Sequence, residues 1–179
     1  MKIILLFCVA LMLSISCTES HADCTCDDWI GKGGYCVDYI KSRIPAFPVP
    51  YSIQAIKSLH NEELRDISKG DVALFTVSNY WHTAYVEKVH FDRKGNPVAI
   101  DVTEMNFGEL PTYEEFTARW GHMPPHEWQR ARCCGVTNDY GRTEARTGIP
   151  IGSIHQVWSP PSVLDRVVSA VSDILEISL

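Results

Sequence analysis

A basic surplus is the first thing the chain lacks. Its 16 lysines and arginines are outnumbered by 22 aspartates and glutamates, for a formal net charge of −6. With no excess of cations to neutralise phosphates, nucleic acid is excluded as the expected partner. An anionic polymer such as a cell wall would have to be held by a shaped groove and not by bulk charge. Internal repeats and low-complexity tracts are missing too, which leaves no solenoid and no long flexible linker to consider. Neither cysteine pair, Cys24 with Cys26 or Cys133 with Cys134, has the two-residue spacer of a zinc knuckle. No metal and no organic cofactor is expected. The apolar stretch from Ile3 to Leu13 is too short for a membrane span.

What that stretch does resemble is an export signal, with Lys2 before it and small or polar residues after it. Ser20 and Ala22 put small residues at the two positions a signal peptidase reads, so residues 1–22 are expected to be removed and the protein to be secreted or periplasmic. A second reading anchors a lipoprotein at Cys17, but Ser14 stands where a branched apolar residue would be usual. The remainder is long enough for one domain with a real core and too short for two. Residues 23–158 are read as that domain and 159–179 as a C-terminal amphipathic helix.

Cys8 and Cys17 belong to the leader, so five cysteines remain. In an oxidising compartment five divides into two bridges and one free thiol. A bridge between adjacent Cys133 and Cys134 would strain their peptide, and one between Cys24 and Cys26 closes a cramped ring. Each early cysteine is therefore expected to bind a late one, in a register left open, with Cys36 unpaired.

The order of elements is helices first and strands after, an α+β class. Residues Cys24 to Gly34 read as irregular. Cys36, Val37, Ile40 and Ile44 lie at helical spacing, stopped by Pro45, and Ser52 to Leu64 is a second amphipathic helix. Strands are expected at Val72–Val77, His82–Val89 and Val98–Thr103, the last two joined by the turn Asp92-Arg93-Lys94-Gly95-Asn96. If that hairpin closes on the five residues Phe91 to Gly95, His90 faces Asn96, Val86 faces Ile100, Ala84 faces Val102 and His82 faces Glu104. Paired side chains stand about 5 Å apart on one face, so an imidazole meets a carboxylate. Further on, Tyr113–Trp120 reads as a short helix, Met123-Pro124-Pro125 as a loop and Gly152–Trp158 as a last strand. In the tail, Leu164, Val167, Val168, Val171, Ile174 and Leu175 form a stripe that packs on the domain or serves a protein partner. Asp165, Asp173 and Glu176 against Arg166 disfavour a membrane role.

Three runs carry chemistry: Gly34-Tyr35-Cys36, Trp81 to Glu87, and Val102 to Asn106. They supply a thiol to attack an acyl carbon, a base to ionise it and protonate the leaving amine, and a third group to orient the ring. Cys36 at a helix start gains from unpaired N–H groups and the helix dipole, which favour thiolate. The glycines before it suggest close approach of a ligand to the backbone. His82 has Glu104 as its matched carboxylate, whereas His60, His90, His122, His126 and His155 have none evident. Asn106, two residues past Glu104, lies on the same side if the strand continues, and either residue is a candidate third member.

Gly34-Tyr35-Cys36 opening a helix, the strand Gly70-Asp71-Val72-Ala73-Leu74-Phe75, His82-Thr83-Ala84-Tyr85-Val86-Glu87-Lys88-Val89 after it, and Thr103-Glu104-Met105-Asn106 closing the hairpin together resemble a CHAP domain. That family comprises cysteine- and histidine-dependent amidohydrolases and peptidases of the papain-like superfamily. The likeness spans about residues 31–107, and more loosely reaches Trp158. It implies a papain-like fold, with N-terminal helices carrying the nucleophile packed on an antiparallel sheet carrying the histidine and its partner. It also implies Cys36 as nucleophile, His82 as base, Glu104 and Asn106 as orienting groups, and cleavage of amide bonds in peptidoglycan, by an endopeptidase or an N-acetylmuramoyl-L-alanine amidase. Asp38, where a bulky aromatic is common, and Trp81, where a small residue is usual, flank the expected cleft together with Tyr35. No separate wall-binding module is seen. Two rivals stand beside this expectation: acyl transfer to an amine through the same thioester, as in transglutaminases, and a disulfide-stabilised binding protein with an inactive triad.

Overall fold

The computed structural model describes residues 24–49, 53–77 and 80–162. The expected leader and the helical stripe from Val163 to Leu179 lie outside the described residues. The architecture is α+β, with a five-stranded antiparallel sheet and a few short helices. The strands are β1 (Val72–Val77), β2 (Tyr80–Phe91), β3 (Pro97–Met105), β4 (Thr143–Pro150) and β5 (Gln156–Trp158), in the order β4-β3-β2-β1-β5.

β1 occupies the expected residues, and its composition explains its central place. Val72, Ala73, Leu74 and Phe75 are all buried because both faces of the sheet are covered. On one face Ala73, Phe75, Ala84, Val86, Ile100 and Val102 pack with Ile149, Ile154 and Val157. On the other, Val72 and Leu74 receive Tyr39 and Ile40 from a helix.

The β2–β3 hairpin forms with a different register from the one expected. Asp92 Oδ1 accepts the amides of Lys94 and Asn96, and the Asp92 amide donates to the Asn96 carbonyl at 2.9 Å. The loop thus runs Asp92–Asn96, one residue later than Phe91–Gly95, and Phe91 pairs with Pro97. Val86 faces Val102 instead of Ile100, and His90 faces Ala99 instead of Asn96, with an irregularity between Val86 and Lys88. Near the site the slip is two residues, and an even slip returns each side chain to its own face.

β4 lies in a segment with no apolar alternation: of its eight residues only Ile149 is buried. It forms as the edge partner of β3, where charges such as Glu144 and Arg146 suit an exposed rim. The last strand is shorter than expected, because Ile151–Ser153 make a 3₁₀ turn first.

The helices are α1 (Asp27–Lys32), α2 (Cys36–Arg43), α3 (Ile53–Lys57), α4 (Tyr113–Trp120) and α5 (Pro125–Cys133). α1 falls in a stretch read as irregular, and it forms around Trp29, which is 1% exposed at the centre of a cluster with Phe116, Ala131, Val136 and Tyr140. α3 is much shorter than Ser52–Leu64, and the chain makes a separate 3₁₀ turn at Leu64–Asp66. α4 opens on a reciprocal cap, the Glu115 amide donating to Thr112 Oγ1 and the Thr112 amide to Glu115 Oε2. At α5 the proline pair was expected to keep the chain in a loop, yet Pro125 takes the first helical position, where its missing N–H costs nothing.

Two disulfides, Cys24–Cys133 and Cys26–Cys134, join the segment before α1 to the end of α5, with Cα separations of 6.3 and 5.6 Å. Early pairs with late, as the spacing required, and Cys36 is the free thiol. Such bridges fit an oxidising compartment. Among the described residues no helix is long and apolar enough to cross a membrane.

Candidate active site

Cys36 is the first residue of α2, and the turn before it is held by the helix itself. Asp38 Oδ2 accepts the amides of Gly34 and Tyr35, each at 2.9 Å. This corrects the expectation that Asp38 flanks the cleft: its carboxylate turns back on the helix start. Gly34 is also explained within the chain. Its φ is +148°, and a Cβ there would lie 2.7 Å from two carbons of the Tyr140 ring. At Gly34 a close approach of the kind inferred from the glycines is made by Tyr140. Tyr35 packs edge-on against the same ring, and its hydroxyl donates to the Cys134 carbonyl at 2.9 Å.

α2 is clamped to the hairpin by Tyr39, whose hydroxyl donates to Thr103 Oγ1 at 2.7 Å, and by Arg43, which pairs with Glu87 at 2.9 Å. The hairpin in turn supplies the imidazole. His82 lies on β2 opposite Phe75, 1% exposed, with Phe107 tilted over it at a ring-centre distance of 4.5 Å. Its Nε2 is 2.8 Å from Glu104 Oε2 on β3. That leaves the other ring nitrogen, Nδ1, for the Cys36 thiol, and the two groups favour each other's charged forms.

Behind Glu104 stands a residue that sequence reasoning missed. Arg146 on β4 donates from Nη2 to Glu104 Oε2 at 2.8 Å and from Nε to Oε1, and its guanidinium lies over the Phe107 ring at 3.9 Å. The β3–β4 register puts Arg146 opposite Val102, so it reaches Glu104 along the diagonal. The only signal was the charge alternation of Glu144 and Arg146 in a segment that did not read as a strand.

Asn106 is placed differently from the expectation. β3 ends at Met105, and Asn106 takes a left-handed φ of 59°, which turns it off the strand face. Its Oδ1 accepts from the Thr137 amide at 3.0 Å and the Thr137 hydroxyl at 2.7 Å, and its Nδ2 donates to the Gly135 carbonyl at 2.9 Å. The structure therefore brings Cys36, His82 and Glu104 together and gives Asn106 to the adjoining wall. His90, expected to lack a carboxylate, has one in Asp101 at 2.8 Å, which also accepts the Gly148 amide.

Charge follows from this geometry. Burial pushes the Cys36 thiol pKa up, but the hydrogen bond and positive charge of His82 outweigh it, helped by Thr83, and the net shift is down. Burial pushes His82 down, while its bonds to Cys36 and Glu104 raise it to about 9. Burial likewise opposes ionisation of Glu104, and His82 with Arg146 reverses it, so the carboxyl sits below its ordinary range. Both shifts run the same way, toward a thiolate beside an imidazolium.

The pair opens into a cavity of about 870 Å³ between the sheet edge at Tyr80–His82 and the segments Gly108–Leu110 and Arg132–Gly135. Tyr35 and Trp81 line it, and Trp81 also meets the His155 ring edge-on at 4.6 Å. Among the described residues no group of three or more His, Cys, Asp or Glu is arranged to hold a metal ion. No family model, curated protein or solved structure matches the chain.

Proposed function

We propose that the protein is an exported thiol hydrolase of papain-like, CHAP-type architecture that cleaves amide bonds in peptidoglycan. The observation that carries this reading is the meeting of a free Cys36 at a helix start with His82 at one cavity, the ring backed by buried Glu104. The peptidoglycan assignment rests on the sequence resemblance, and the two disulfides support export.

In the proposed reaction the Cys36 thiolate attacks the amide carbon. The developing oxyanion is met by the Cys36 N–H at the open first turn of α2. His82, as imidazolium, hands its proton to the departing amine, leaving a thioester on Cys36 and a neutral ring. Water then enters, gives its proton to His82 and adds its oxygen to the acyl carbon, and the sulfur leaves as thiolate. Glu104 keeps the ring oriented with Nδ1 toward the sulfur throughout, and Arg146 holds Glu104 ionised.

The test is mass spectrometry of muropeptides released from purified peptidoglycan. Wild type should release products cut at one kind of amide bond, and Cys36→Ala should release none while keeping the fold. Products from the alanine variant at a wild-type rate would reject the mechanism. Incorporation of an added amine in place of water would turn the reading to acyl transfer.

A further inference from the structure

Thr83 follows His82 on β2, pairs with Leu74, and belongs to the sheet face on which α2 packs. It is 3% exposed, yet its hydroxyl is buried with no regular hydrogen-bond partner. That is an unusual state for a side chain whose apolar isostere, valine, fits the same space on a strand. The group it acts on is the Cys36 thiol, whose ionised form both the hydroxyl and the backbone amide of Thr83 favour. Two successive residues of one strand thus bear on the sulfur, His82 by its ring and Thr83 by its hydroxyl and amide.

A neutral thiol is a poor acceptor and gives such a hydroxyl little reason to be there, whereas a thiolate carries full charge and accepts strongly. We infer that the Thr83 hydroxyl donates to the Cys36 sulfur when that sulfur is anionic, making Thr83 a second group, beside the His82 ring, that stabilises the nucleophile. When the sulfur becomes a thioester the acceptor is weakened, so the hydroxyl favours the free thiolate over the acylated enzyme and favours its departure in the second step.

The inference rests on Cys36 being the nucleophile proposed above, but not on which amide is cleaved. The titratable and charged groups around the sulfur are His82 from the sheet, Tyr35 and Asp38 from its own helix start, Glu104 and Arg146 behind the ring, and Glu109 and Arg132 across the cavity. Replacing Thr83 changes the charge of none of them.

The experiment is alkylation of the intact, disulfide-bonded protein by iodoacetamide from pH 5 to 9, with Cys36 confirmed as the labelled site, in wild type, Thr83→Val and Thr83→Ser. The valine variant should label about tenfold more slowly at the acid end and approach wild type at the alkaline end, a shift of the profile by about one pH unit. Serine should restore most of the difference. Overlaying profiles for valine and wild type, or serine as slow as valine, would overturn the inference. An ordinary thiol profile in wild type would instead remove the nucleophile reading itself. Thermal melts separate this from a packing role. In a Cys36→Ala background Thr83→Val should leave the melting temperature unchanged or raise it, since no anion remains to be served, and an equal loss in both backgrounds would mark Thr83 as structural only. If valine prevents folding, Thr83→Ala, which cannot overpack the site, is read in the same comparison.

Discussion

His82 and Glu104 meet on the diagonal of the β2–β3 hairpin: Nε2 and Oε2 are 2.8 Å apart, and each residue is 1% exposed. A buried contact of this kind fixes which ring nitrogen faces the carboxylate, and so which one faces the sulfur. Glu104→Gln keeps the shape and removes the charge. It should lower kcat/KM by roughly 10²- to 10⁴-fold with little change in KM, because the ring loses its support as imidazolium. A variant within threefold of wild type would show that His82 works without Glu104.

Arg146 pairs with Glu104 through two N–H groups, and this fork is what keeps a carboxylate ionised in a closed site. Arg146→Met should cost about 2 kcal/mol in urea unfolding. It should also move the acid limb of the activity profile to higher pH, since Glu104 then protonates more readily. Arg146→Lys, which keeps the charge but not the fork, should fall between methionine and wild type.

The two cystines run side by side and close loops of nearly the same length, with separations of 109 and 108 residues. Once one is formed, the second closes only a small ring. Removing either pair alone should therefore cost little stability, and removing both about 4 kcal/mol in the chain-entropy account. Because Cys133 and Cys134 line the cavity, reduction should also lower activity. Denaturant titrations of the single and double cystine variants check the non-additivity.

Gly34→Ala places a methyl group against the Tyr140 ring at a φ that side chains rarely adopt. A destabilisation of about 1 to 3 kcal/mol is expected, with loss of activity from movement of the α2 start. Unchanged stability would mean that the ring yields freely.

Much of the site was legible because its parts are local. An odd cysteine count, a helix start at Cys36 and a hairpin with a strong turn signal each depend on a few neighbouring residues. The loop was placed one residue early, and the resulting two-residue slip left His82 and Glu104 on one face, so their contact survived the error in register. What was not legible depends on the tertiary fold. β4 is held by its partner strand and not by its own pattern, so Arg146 was hidden with it. α1 is short and exists around the burial of Trp29. Asn106 was misplaced because a left-handed residue ended β3 one position earlier than an extended chain would.

The account depends most on Cys36 being a thiolate paired with His82. The sign of each shift defines a pH window: the thiol, lowered from its ordinary value, ionises early, and the imidazolium, raised to about 9, persists until the pH passes that value. The ring's contribution to stability follows the same sign. It is fully present below the unfolded histidine pKa near 6.5 and lost as pH rises through about 9. The most direct measurement is the rate of Cys36 alkylation in the native wild-type protein against pH, followed by mass spectrometry. Rapid labelling already at pH 6, with a second change near pH 9 that disappears in His82→Ala, is the predicted result. A single rise near the pKa of a simple thiol, the same with and without His82, would contradict it.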